Sequence, residues 1–119
     1  MSHPEYEAQV RAALEKVWRV SRHEALSRLA TLESFLHELR SGKTDERSLS
    51  SAQSAAHRLS GTLGMFGLKE GSACAAEVES LLCHESGPNI ARMGKLVGRL
   101  RILMEEGPSP TRTWEKYGQ

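Results

Sequence analysis

A chain of 119 residues is long enough to bury one core without disulfides or a structural metal, so a single domain is expected. Leu, Ala, Glu and Arg dominate, aromatic residues are 5% and there are four Pro, a composition that favours helices and argues against a sheet built on Val, Ile, Thr and Tyr. The 16 basic and 15 acidic side chains are interspersed and leave a net charge of +1, which excludes the broad basic face of a nucleic-acid-binding domain.

The apolar runs are too short to span a membrane. Met1-Ser2-His3-Pro4-Glu5 lacks the basic and apolar stretches of a secretory signal, and the expectation is a soluble, cytoplasmic protein. Cys74 and Cys83 fall in one predicted helix and match neither a disulfide framework nor a zinc knuckle. They are read as two reduced thiols, one or both packed.

The first helix begins at Pro4, which suits a first helical position, with Glu5 at the positive end of the helix dipole. Val10, Leu14, Val17 and Trp18 repeat at the spacing of a buried stripe, and after the polar patch from Ser21 to Glu24 the stripe resumes with Leu26, Leu29, Leu32, Phe35, Leu36 and Leu39. One long helix or two in series both fit. Gly42 is a helix stop, and Thr44 or Asp45 an N-cap, so a tight reversal leads into the next helix. There Leu49, Ala52, Ala56, Leu59 and Leu63 form a seam spaced as in a bundle, ending near Phe66-Gly67.

Leu68, Gly71, Cys74, Ala75, Val78, Leu81 and Leu82 mark a further helix, terminated by Gly87-Pro88. Ile90, Met93, Leu96, Val97, Leu100, Leu103 and Met104 mark the last, and the pattern dies in Glu105-Glu106-Gly107-Pro108. Residues 1–106 are therefore assigned to one helical bundle, and 107–119, with Trp114 and Tyr117 as the only large apolar anchors, to an extended tail or linker. Trp18, Phe35 and Phe66 are read as core or cover residues, and Arg99 and Arg101 as a solvated face.

The stretch from Ala55 to Leu68 carries the chemical signal. Gly61 and Gly64 lie inside a helix, where each glycine costs about 0.8–1 kcal/mol relative to Ala, and so call for a reason such as close approach of another backbone. Gly67 is a C-cap glycine. His57 sits one position round from the buried seam, at its margin or outward, with Gln53, Ser54, Ser60 and Gly61 one turn away and Gly64 two turns on. A large partner can approach such an imidazole. A neutral ring nitrogen can attack an acyl phosphate to give a phosphoramidate. The chain has no Gly-rich ATP loop, no Walker pattern and no metal-ligand cluster, so the phosphoryl group must come from and go to a partner.

Ala56-His57-Arg58-Leu59-Ser60-Gly61, then Gly64, then Gly67-Leu68 resembles the signature of the histidine-containing phosphotransfer (HPt) domain, Ala-His-x-Leu-Lys-Gly with further glycines and a closing Gly-Leu. The resemblance covers roughly residues 5–106. It implies an all-α, up-down four-helix bundle with an N-terminal covering helix or extension, and the phosphorylated histidine on the second core helix. It implies that His57 is the phosphoacceptor, that Gly61 leaves room for the loops of a receiver domain, and that Gly64 permits tight packing. Gln53, Ser54, Gly61 and Gly64 are the expected receiver-docking surface.

The donor and acceptor would be aspartyl phosphates of response-regulator receiver domains or of a hybrid histidine kinase. The chain itself would need no cofactor or metal, because Mg²⁺ would sit on the receiver. It would be a phosphocarrier without kinase activity, and a monomer, bound neither to nucleic acid nor to membrane. One position departs from the pattern: Ser60 stands where the family commonly has Lys or Arg. Arg58 and Lys69 are the candidates to compensate, and Glu79 to orient the imidazole. The remaining histidines, His3, His23, His37 and His84, are read as surface residues. The alternative function is a degenerate HPt module that docks a receiver or kinase without phosphotransfer.

Overall fold

The computed structural model describes residues 4–85 and 87–108. Four helices follow one another along the chain: α1 (Pro4–Ser41), α2 (Glu46–Met65), α3 (Lys69–Leu82) and α4 (Ile90–Glu106). They pack in an antiparallel up-down bundle in which α1 meets α2 and α4, and α3 also meets α2 and α4. The fold class is the one expected.

Each boundary has a local cause. Glu5 and Glu7 place negative charge in the first turn of α1. At its far end Gly42 turns left-handed (φ 69°), and the amides of Gly42 and Lys43 donate to the carbonyls of Leu39 (3.2 Å) and Glu38 (3.0 Å). That pattern satisfies carbonyls that would otherwise be orphaned. Asp45 is the N-cap of α2: its carboxylate accepts from the Ser48 amide (2.7 Å), while the Ser48 hydroxyl accepts from the Asp45 amide (3.1 Å).

At the other end of α2, Gly67 turns left-handed (φ 75°). Its amide donates to Gly64 (3.1 Å) and that of Leu68 to Leu63 (2.9 Å), so the chain reverses within three residues and α3 returns directly alongside α2. Asn89 caps α4 through the Arg92 amide (3.1 Å).

The core runs through Ala25, Leu29, Leu32 and Phe35 of α1, Ala52, Ala56, Leu59 and Leu63 of α2, Ala75 and Val78 of α3, and Met93, Leu100 and Met104 of α4. Trp18 and Phe66 are buried as well, edge to face with ring centroids 5.0 Å apart. Arg101 reaches Glu33 across α1 and α4, and Arg92 and Arg99 pair with Glu77 and Glu70 across α3 and α4. The face assigned to Arg99 and Arg101 is thus an ion-paired one that fixes register between helices.

The sequence reading needs correction at the start of α1. The whole segment is one helix, but Leu14 and Val17 are 40% and 50% exposed and Val10 is only partly buried. The 38 residues of α1 span about 57 Å at 1.5 Å per residue, which matches the 56 Å long axis of the molecule. The bundle reaches only as far as Trp18, where the end of α4 meets it at Gly107, and the earlier turns project past it. The expected covering extension is therefore the first part of α1, and it covers little. Ile90, placed in the buried stripe of α4, is 38% exposed, because it opens the helix beside its N-cap. The tail beyond Pro108, and His3, lie outside the described residues.

Two outcomes follow from this architecture. Leu100→Ala, at a fully buried position, is expected to lower unfolding free energy by about 2–5 kcal/mol in denaturant titration. The hydrogen bond from the Ser48 backbone holds the Asp45 carboxyl below its ordinary range, so its stabilising effect is present above the unfolded-state pKa and is lost as pH falls through the folded-state value. Asp45→Ala is expected to be less stable than the parent at neutral pH, with the gap narrowing as the pH is lowered through the acid range.

Candidate functional site

His57 lies mid-way along α2, between Ala56 and Leu59 of the core seam, and its side chain is 74% exposed. From α3, Glu79 brings its carboxylate to the ring: Nδ1 stands 3.0 Å from Oε2 and 3.2 Å from Oε1. Nδ1–H therefore donates to Glu79, which assigns the lone pair of the neutral imidazole to Nε2. The side of the ring bearing Nε2 is the one not held by the protein. Glu79 is itself only 33% exposed, so its negative charge is less screened than that of a surface carboxylate.

The spacing of α2 and α3 sets this contact. Ser60 and Ser72 face one another across the two helices and exchange hydrogen bonds, the Ser60 hydroxyl donating to the Ser72 carbonyl (2.9 Å) and the Ser72 hydroxyl to the Ser60 carbonyl (2.8 Å). Beside them Gly64 has no room to spare, since a Cβ there would stand 3.2 Å from Ser72 Oγ. On α3 a Cβ at Gly71 would stand 3.0 Å from Leu63 Cδ1. These glycines let the helices approach closely, which offsets their intrinsic helix cost. Near the other end of the contact Gln53 Nε2 donates to the Leu82 carbonyl (3.1 Å).

The residues singled out in the sequence divide accordingly. His57 and Glu79 are brought together. Ser54 and Gly61 are exposed on the same helix as His57, and a Cβ at Gly61 would meet nothing within 4 Å. Gln53 turns towards α3 and is half-buried, so its amide is a fastening rather than an open docking group. Ser60 is also committed inward, and its one hydroxyl proton is already donated to Ser72. Arg58 is exposed, but adjacent positions on a helix diverge by about 100°. On the register set by Ser60 and Ser72, Lys69 falls opposite Leu63, about 9 Å along the helix from His57. Neither cation shares a turn-spaced position with the imidazole.

Two features escaped the sequence reading. Ser72 has no local signal, because its role depends on the residue it meets twelve positions away. Met65, a further turn along the ridge of His57 and Gly61, is 77% exposed, and a lone Met near a helix end carries no sign in the sequence of which way it faces. Cys74 is partly buried and burial pushes its thiol up, while Cys83 is exposed. His23, His37 and His84 are exposed. Among the described residues no group of three His, Cys, Asp or Glu is placed to hold a metal ion, and no helix is long and apolar enough to cross a membrane.

The bundle thus presents on α2 an exposed imidazole, His57, held at Nδ1 by a carboxylate from the neighbouring helix. The family model of the Hpt domain matches residues 5–106, nearly the whole chain, and the protein belongs to that family of phosphorelay signal transduction. No match was found among curated proteins or among solved structures.

The contact between His57 and Glu79 has a direct readout. In ¹⁵N-resolved NMR of the neutral imidazole, the parent is expected to hold the Nδ1–H tautomer. Glu79→Ala is expected to release the ring to a mixture with more Nε2–H, and an unchanged tautomer would remove Glu79 from the site.

Proposed function

We propose that His57 is the phosphoacceptor and that the protein relays a phosphoryl group between receiver domains. The observation that carries this reading is the Nδ1 contact with Glu79 on a side chain that is 74% exposed, which leaves Nε2 as the lone-pair nitrogen of the neutral ring. Nε2 attacks the phosphorus of a receiver's aspartyl phosphate, the N–P bond forms as the P–O bond to the aspartate breaks, and the carboxylate leaves on the receiver. The ring is then positively charged, and the Glu79 carboxylate stabilises that charge through Nδ1–H. Transfer onward reverses these steps, with the carboxylate of the next receiver as nucleophile.

Glu79 also bears on the energy of the phosphorylated state. It sits on the far side of the ring from the phosphoryl group, where it steadies the cationic ring without contacting the phosphoryl oxygens. With Ser60 bonded to Ser72, none of the α2 positions one turn from His57, which are Gln53, Ser54, Ser60 and Gly61, carries a cation, and charge neutralisation in flight falls to the partner. A Mg²⁺ on the receiver would supply it. The open space at Gly61 and the exposed Ser54 suit approach of receiver loops to the imidazole.

Incubation of the purified chain with a phosphorylated receiver and Mg²⁺, followed by intact-mass analysis, tests the proposal. An acid-labile gain of about 80 Da, one phosphoryl group, is expected in the parent and not in His57→Gln. Absence of the adduct with several receivers, despite binding, would leave a docking module. Glu79→Ala is expected to slow phosphotransfer roughly ten- to hundredfold, about 1.4–2.7 kcal/mol of barrier, a size typical of a hydrogen bond to a charged group.

A further inference from the structure

The part of α1 that projects past the bundle carries a second apolar line. Tyr6, Val10, Ala13, Val17 and Val20 are spaced four, three, four and three residues apart, the repeat of a two-helix coiled-coil seam. It differs from the stripe that packs into the bundle. Successive helical residues turn by about 100°, so relative to the buried Trp18, Val17 lies roughly 100° and Val20 roughly 160° around the axis. Tyr6, Val17 and Val20 are 66%, 50% and 72% exposed. Residues 4–17 extend about 21 Å, and a free-standing helix of that length is marginal in water without a partner for its apolar face.

We propose that this seam pairs with the same seam of a second copy of the chain, forming a dimer through the projecting part of α1. Charge supports like with like in reversed orientation: Glu5 and Glu7 lie at the start of the segment and Lys16, Arg19 and Arg22 towards its end. Antiparallel pairing therefore sets each acidic end beside a basic one and opposes the two helix dipoles. The other available occupant is the chain's own C-terminal segment. That segment leaves α4 at Gly107, where a Cβ would lie 3.1 Å from Trp18 Nε1, on the bundle side of α1 rather than on the side of Val20. The two ends of the molecule are thereby separated in role, with His57 on the bundle and the pairing surface on the projection, and the inference does not depend on phosphotransfer.

The test is sedimentation velocity on the full chain from about 5 to about 500 µM, which brackets the roughly 10–100 µM Kd expected of an interface at the small end of the size range. The mass is expected to rise from 13.2 kDa towards twice that value with concentration. Val17→Lys with Val20→Lys is expected to stay at 13.2 kDa while keeping the parent's thermal unfolding midpoint, because both positions are outside the core. If that double variant unfolds, Tyr6→Lys, farther from the bundle, reads the same seam. A parent that stays monomeric at 500 µM, a dimer that the variants leave intact, or dimerisation seen only after removal of residues 109–119 would overturn the proposal, the last by showing that the chain's own end covers the seam.

Discussion

Ser60 and Ser72 hold α2 and α3 together by reciprocal hydrogen bonds between hydroxyl and main-chain carbonyl, and the distance between His57 and Glu79 depends on that contact. Two helices meet this closely only where side chains are small. Gly64, Gly71, Ala56 and Ala75 supply the space, and the Gly67 turn returns the chain without a loop that could let the register drift. Half-buried hydroxyls facing each other across a close helix contact would be costly if unpaired. Paired as they are, they choose one register out of the several that an Ala-rich interface would accept. Glu79, two turns beyond Ser72 on α3, is thereby delivered to Nδ1 of His57.

This arrangement separates two tasks that many sites combine. Orientation of the imidazole is internal, done by one carboxylate from the neighbouring helix. In the proposed transfer, stabilisation of the phosphoryl group falls to the partner, since Ser60 has turned inward and neither Arg58 nor Lys69 occupies a position spaced by one turn from the histidine on α2. Under that proposal the carrier depends on its partner for the chemistry in flight, which suits a module that must give the group away as readily as it accepts it. The bundle around it is conventional in its energetics. Leu29, Leu59, Leu100 and Met104 fill the core, while the ion pairs across α1, α3 and α4 are exposed and add specificity of register more than stability.

Much of this was legible in the sequence, and the gaps have physical reasons. The caps at Asp45, Gly67 and Asn89 involve residues within a few positions of each other, so Gly42, Thr44-Asp45 and Gly67 announced the turns. The seam of α2 was legible because a strict helical spacing of Leu and Ala leaves one solution. His57 stood out against its glycines. The direction of Ser60 was not legible: a serine three residues after the histidine reads as a missing cation, and only Ser72, brought up by the fold, shows it to be a fastening. The hydrogen bond of Gln53 was not legible for the same reason, its partner being the Leu82 carbonyl at the end of another helix. The start of α1 was misread because an apolar stripe signals a helix face and does not say whether anything lies against it.

The proposed transfer requires that Glu79 hold Nδ1 and leave Nε2 to react. The most direct measurement is the site of the N–P bond in the phosphorylated protein, read by ¹H–¹⁵N–³¹P correlation NMR of ¹⁵N-histidine-labelled chain. Phosphorus bonded to Nε2 of His57, with Nδ1 still protonated and hydrogen-bonded, is the expected result. Phosphorus on Nδ1, or on a histidine other than His57, would contradict it.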